Sequence, residues 1–158
     1  MAIHGALIGG ILAGFIYTKI KKINFFKMAD TVMIGIPLGQ AIGRWGNYIN
    51  GEAHGGPTNL PWGIMVDGIK VHPTFLYESI WDLGIFIFLW CFRKNKKYEG
   101  QLAITYLILY SIGRFFIEGL RTDSLMIGAL RMAQVISLLT IIVCFILHKI
   151  LSNKKNRG

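Results

Sequence analysis

The chain has 158 residues, of which 53% are hydrophobic and 13% aromatic, with a mean hydropathy of +0.50 and a formal net charge of +9. This exceeds the apolar share of an ordinary soluble domain, and several apolar runs approach the length that crosses a bilayer. The positive charge falls in clusters between those runs rather than on one basic face, which argues for a membrane protein with cytoplasmic basic loops and against a nucleic-acid partner.

The expectation is an all-α, polytopic integral membrane helix bundle, forming a single transmembrane domain over 1–158. Five spans are predicted, at Ile3–Ile20, Ala29–Trp45, Thr74–Phe92, Leu102–Ile117 and Gly128–Leu151. The second and fourth are short against the roughly 20 apolar residues a span needs. Span one carries Gly5, Gly9, Gly10 and Gly14, and span two Gly35, Gly39 and Gly43. Small residues on one stripe let helices approach closely in lipid. Pro37 is expected to bend the second span or loosen its hydrogen bonding. Cys91 and Cys144 lie inside apolar runs without paired spacing and read as packing residues. Met1 runs almost directly into an apolar segment, so no cleavable signal peptide is expected.

Twelve of the 17 basic residues fall in three groups, around Lys19–Lys27, Arg93–Lys97 and Lys149–Arg157. These groups alternate with regions nearly free of lysine, which places them inside and the N-terminus outside. The connection at about 46–73 then becomes an outward-facing loop. Unusual polar residues collect at that outer level: His4, the stretch after Arg44, His72, Tyr77, Glu78, Arg114 and Glu118.

Gly43–Gly56 packs an arginine, two asparagines, a glutamate, a histidine and five glycines into fourteen residues behind an apolar run. Snorkelling to lipid headgroups explains one boundary arginine, but not a Gly- and Asn-rich stretch after it. Tyr110, Arg114 and Glu118 recur at four-residue spacing and share a helical face. A structural ion pair accounts for that spacing, as does an arginine held by a glutamate and aimed at a phosphate. Glu78 and Asp82 are a like-charged pair on one face, open to partners from Arg44 or Arg114. The four histidines lack metal-ligand spacing, and there is no P-loop or nucleophile elbow, so neither metal nor cofactor is expected.

Gly-Arg-Trp-Gly-Asn-Tyr-Ile-Asn-Gly-Glu-Ala-His-Gly at 43–55 resembles the signature of the bacterial prolipoprotein diacylglyceryl transferases. Ile3–Gly9, with His4-Gly5, is similar to a second segment of that family. His72-Pro73-Thr74-Phe75-Leu76-Tyr77-Glu78 resembles a third. Tyr110–Arg121 resembles the family's late arginine–glutamate helix, and Ala133-Gln134-Val135-Ile136-Ser137 the opening of its last helix, with alanine replacing glycine. The resemblance spans essentially the whole chain. It implies the C-terminal portion of the family's fold, lacking the first helices.

The resemblance also implies an enzyme of the bacterial cytoplasmic membrane. It would move diacylglyceryl from phosphatidylglycerol to the lipobox cysteine of a prolipoprotein, releasing glycerol phosphate. Its partners would be phosphatidylglycerol, the prolipoprotein lipobox peptide and membrane lipids. Arg44, Arg114, His4 and Glu118 are the implied catalytic residues. Asn47, Glu52, Gly55, Tyr110, His72 and Tyr77 are the implied substrate contacts. In this reading the arginines bind the phosphate, Glu118 and Glu52 orient them or hydrogen-bond the glycerol, and His4 is the base. The alternative is a non-catalytic phospholipid-binding fragment or one subunit of a split enzyme. An anion transporter is a third reading, which would continue the polar residues to the inner side.

Overall fold

The computed structural model describes residues 2–52, 54–121, 126–127 and 130–156, with the side chains of 2–8, 126–127, 130 and 154–156 excluded. Five helices follow the order α1 (Ala2–Lys21), α2 (Phe25–Ile49), α3 (Thr74–Phe92), α4 (Gln101–Glu118) and α5 (Met132–Asn156). Two small antiparallel ribbons join them, β1 (Ile64–Val66) with β2 (Ile69–Val71) and β3 (Met126–Ile127) with β4 (Leu130–Arg131). The expected all-α bundle therefore carries minor β structure in its connections. Among the described residues, α3 and the stretch Met132–Asn153 of α5 are long and apolar enough to cross a membrane.

Helices α2, α3 and α4 pack against one another, α5 lies on α4, and α1 lies against α2. Ile85, Leu89, Leu102 and Tyr106 form the centre of this core, flanked by Met33, Ile34 and Ile36. Tyr98, Ile104 and Cys144 join α5 to α4. Much of α5 faces outward with Ile136, Leu139, Ile142 and Phe145 exposed. An exposed apolar stripe of this size matches a lipid-facing helix.

Several boundaries differ from the sequence expectation. Helix α2 starts at Phe25 because the Asn24 side chain accepts from the backbone N–H of Phe26 and Lys27, satisfying its free donors. It also runs four residues past Trp45, so the connection opens at Asn50 rather than 46. Trp45 and Tyr48 share a face and pack on Phe75 of α3, with ring centroids 5.5 and 4.7 Å apart. The helix then closes with the Gly51 N–H on the Tyr48 carbonyl and the Glu52 N–H on that of Asn47. Gly51 has φ +68°, the left-handed conformation this closing motif requires. Pro37 is accommodated inside α2 without ending it. The fifth helix begins at Met132 rather than at residue 128, because the β3–β4 ribbon precedes it; Gly128 itself lies outside the described residues.

Candidate functional site

The site sits where the C-terminal part of α2, the first turns of α3 and the end of α4 converge. Arg44, Glu78, Trp81, Asp82, Tyr110, Gly113, Arg114 and Ile117 line one small cavity there. Glu78 is buried and is its centre. Its Oε1 lies 2.6 Å from Arg114 Nη1 and its Oε2 lies 3.0 Å from Arg44 Nη1. Arg114 is also held by Glu118, Nη2 to Oε2, at 2.6 Å within the same helix.

The two arginines are not held alike. Arg114 donates a hydrogen bond to Glu78. Arg44 lies within ion-pair distance, yet Glu78 Oε2 accepts no hydrogen bond. The distance and the bond geometry differ here, and the geometry decides what Arg44 has left to offer. Among the described residues Glu78 is the carboxylate that pairs with Arg44, through Nη1. A guanidinium carries five N–H donors, so Arg44, 20% exposed, has donors beyond Nη1 for an incoming anion. Asp82, one turn below Glu78, is buried with Oδ2 accepting no hydrogen bond.

Packing fixes these positions closely. Ser79 Oγ donates to the Ala41 carbonyl at 2.8 Å, tying α3 to α2 just below Arg44. Tyr106 OH donates to Gln40 Oε1 at 2.9 Å, tying α4 to α2, and Tyr110 stacks on Tyr106. Trp81 Nε1 donates to the Leu109 carbonyl at 3.0 Å and lies across Gly113. A Cβ on Gly113 would fall 2.1 Å from that nitrogen. Only a bare backbone at position 113 permits this approach.

The structure thus brings together four of the sequence candidates, Arg44, Tyr110, Arg114 and Glu118. Beside them stand Glu78 and Asp82, the like-charged pair left open to Arg44 or Arg114, and the structure adds Trp81 and Gly113. The other candidates lie elsewhere. His72 Nδ1 lies 3.3 Å from Tyr77 OH, which also accepts from Trp62 Nε1 at 2.9 Å. These three residues form a separate network between the loop and α3. Gly55 is buried against His72, Thr74 and Leu120; a Cβ there would sit 2.7 Å from His72 Cβ. Its N–H donates to the His72 carbonyl, and the Gly56 N–H to that of Leu120. Residues 55–56 therefore stitch the loop to the start of α3 and the end of α4. Asn47 and Glu52 meet through the backbone closure of α2. His4 lies on α1, and its side chain is outside the described residues.

The β1–β2 hairpin was missed by the sequence reading although its signal is present. Ile-Met-Val-Asp-Gly-Ile-Lys-Val alternates around Asp67-Gly68, and both turn residues have positive φ, 50° and 80°. For Glu78 the sequence offered Arg44 or Arg114 as a partner without deciding between that pairing and repulsion by Asp82. Only the fold shows one carboxylate serving both arginines.

A family profile described as prolipoprotein diacylglyceryl transferase matches residues 1–150. The chain is 78% identical over 158 residues to the phosphatidylglycerol–prolipoprotein diacylglyceryl transferase of Clostridioides difficile, covering 100% of this chain and 63% of that protein. It is 55% identical to the protein of the same name from Finegoldia magna, covering 94% of this chain and 60% of the relative. With that of Thermosynechococcus vestitus the identity is 50%, covering 89% of this chain and 57% of the relative. The chain therefore spans less than two thirds of the length of these relatives. The matched residues and these identities show that the chain belongs to the prolipoprotein diacylglyceryl transferase family, whose members are membrane proteins.

Proposed function

We propose that this chain supplies the phosphatidylglycerol headgroup site of a diacylglyceryl transferase. The reaction moves diacylglyceryl from phosphatidylglycerol to the lipobox cysteine of a prolipoprotein. The thiolate sulfur attacks the glyceryl carbon, a carbon–sulfur bond forms, and the bond from that carbon to the phosphate oxygen breaks. Glycerol phosphate leaves, and the thiol proton passes to a base. The observation that carries the reading is the shared Glu78 carboxylate, which holds two partly exposed arginines side by side.

In this reading Arg44 contacts the phosphate directly and Arg114 adds the second positive charge. Charge-assisted, planar hydrogen bonds of this kind suit a phosphate that gains charge as it departs. Glu78 and Glu118 orient the arginines, and Tyr110 closes one wall. His4 remains the proposed base, because imidazole titrates near neutral pH. It lies near the start of α1, the helix that precedes α2. Asn47, Glu52, Gly55, His72 and Tyr77 act by shaping the loop that covers this end. The proposed topology has five spans in the bacterial cytoplasmic membrane. The N-terminus and the 50–73 connection face outward, and the C-terminus faces the cytoplasm.

Membranes bearing the chain, from cells depleted of their own transferase, are incubated with radiolabelled phosphatidylglycerol and a lipobox peptide. Label should appear on the peptide cysteine as an alkali-stable thioether, and Arg44→Ala or Arg114→Ala should abolish it. Phosphatidylglycerol binding without thioether formation would contradict catalysis by this chain and leave a lipid-binding fragment.

A further inference from the structure

The opposite end of the bundle carries a second cleft. It opens between α2 and α3, between Ile34 and Gly35 on one side and Phe86 and Trp90 on the other, with a volume of about 500 Å³. A Cβ on Gly35 would meet nothing within 4 Å, so that side is open. Asp30, Thr31, Leu102, Arg93 and Lys96 complete the lining. This end holds the basic groups that the charge pattern assigns to the cytoplasm.

The one carboxylate in the cleft, Asp30, is already engaged. It accepts from the backbone N–H of Gly100 at 2.9 Å and of Ala103 at 3.0 Å, capping α4, and from Lys96 Nζ at 3.0 Å. Lys96 is shared with Glu99 at 2.7 Å. Arg93 differs from both. Its guanidinium lies 3.4 Å from the centroid of the Trp90 ring, and Nη1 donates to the Trp90 carbonyl at 2.7 Å. It has no carboxylate partner among the described residues. A guanidinium carries five N–H donors, so most remain for a ligand.

We infer that this cleft binds an anionic phospholipid, with its phosphate on Arg93 and one acyl chain between α2 and α3. The apolar walls of Ile34, Phe86, Trp90 and Leu102 suit an acyl chain, and the basic rim suits its phosphate. Basic pockets between membrane helices on the cytoplasmic side favour acidic headgroups. A zwitterionic lipid would bring its own cation against Arg93, Lys94 and Lys96. The inference rests on the chain's place in a membrane and not on the transferase reading, since the cleft shares no lining residue with the Arg44 site.

Trp90 reports on the cleft directly. The chain is reconstituted in phosphatidylcholine vesicles, and phosphatidylglycerol or phosphatidylcholine brominated on the acyl chain is added. The tryptophan quenching that disappears in Trp90→Phe is the cleft signal, which separates it from lipid bound near Arg44. Brominated phosphatidylglycerol should quench Trp90 at about fivefold lower mole fraction than brominated phosphatidylcholine. Arg93→Gln should erase that preference. Gly35→Leu, which fills the open wall with a good helix former, should reduce quenching by both lipids. Equal quenching in the wild type would overturn the inference, as would a preference that survives Arg93→Gln. Trp90 protected from both lipids would also overturn it and show that protein fills the cleft.

Discussion

Arg44 and Arg114 share one counter-ion, with Glu78 Oε2 3.0 Å from the first and Oε1 2.6 Å from the second. Glu78 is buried, so its removal leaves two partly buried guanidinium groups facing each other. Breaking such a pair costs about 3–5 kcal/mol. Glu78→Ala should therefore lower the unfolding midpoint in detergent far more than a mutation of the exposed Glu52. An unchanged midpoint would mean that the arginines find other partners.

Trp81 of α3 lies across Gly113 of α4. Gly113→Ala places a methyl 2.1 Å from Trp81 Nε1, forcing the indole off the Leu109 carbonyl. Overpacking of this kind costs about 1–3 kcal/mol. In the double variant Gly113→Ala/Trp81→Ala most of that cost should vanish, because the clash needs both partners. Simple additivity in a double-mutant cycle would show that Gly113 matters for some other reason.

Lys96 gives a pH dependence with a defined sign. Burial alone would lower its pKa, but hydrogen bonds to Glu99 and Asp30, with the charges of both, outweigh it and raise the group above 10.5. A raised pKa means its stabilisation is complete below 10.5, where both folded and unfolded chains are protonated. It is lost as pH rises from there through the folded value. Thermal unfolding should fall over that alkaline window and not between pH 6 and 9, and Lys96→Met should flatten the alkaline limb.

The five helices were largely legible because each covers an apolar run, although among the described residues only α3 and Met132–Asn153 are long and apolar enough to cross a membrane. Their ends were less legible. The extension of α2 to Ile49 depends on Trp45 and Tyr48 reaching Phe75, a contact with another helix that local propensity does not register. At the site, the spacing of Tyr110, Arg114 and Glu118 was readable from helical periodicity. The sharing of Glu78 was not, because it requires the relative placement of three helices. Gly55 is a related case. It reads as a residue for close ligand approach, and the fold uses the same property to bring the loop backbone against His72 and Leu120.

The central claim is that the Glu78-bridged arginines bind phosphatidylglycerol through its phosphate. The most direct measurement is titration of short-chain phosphatidylglycerol into the chain in phosphatidylcholine nanodiscs. An Arg93→Gln background removes the second cleft from the signal. Arg44→Lys keeps the charge but loses the planar fork, and should weaken binding by about tenfold or more. Binding that is unchanged by Arg44→Lys and by Arg114→Lys would contradict the account.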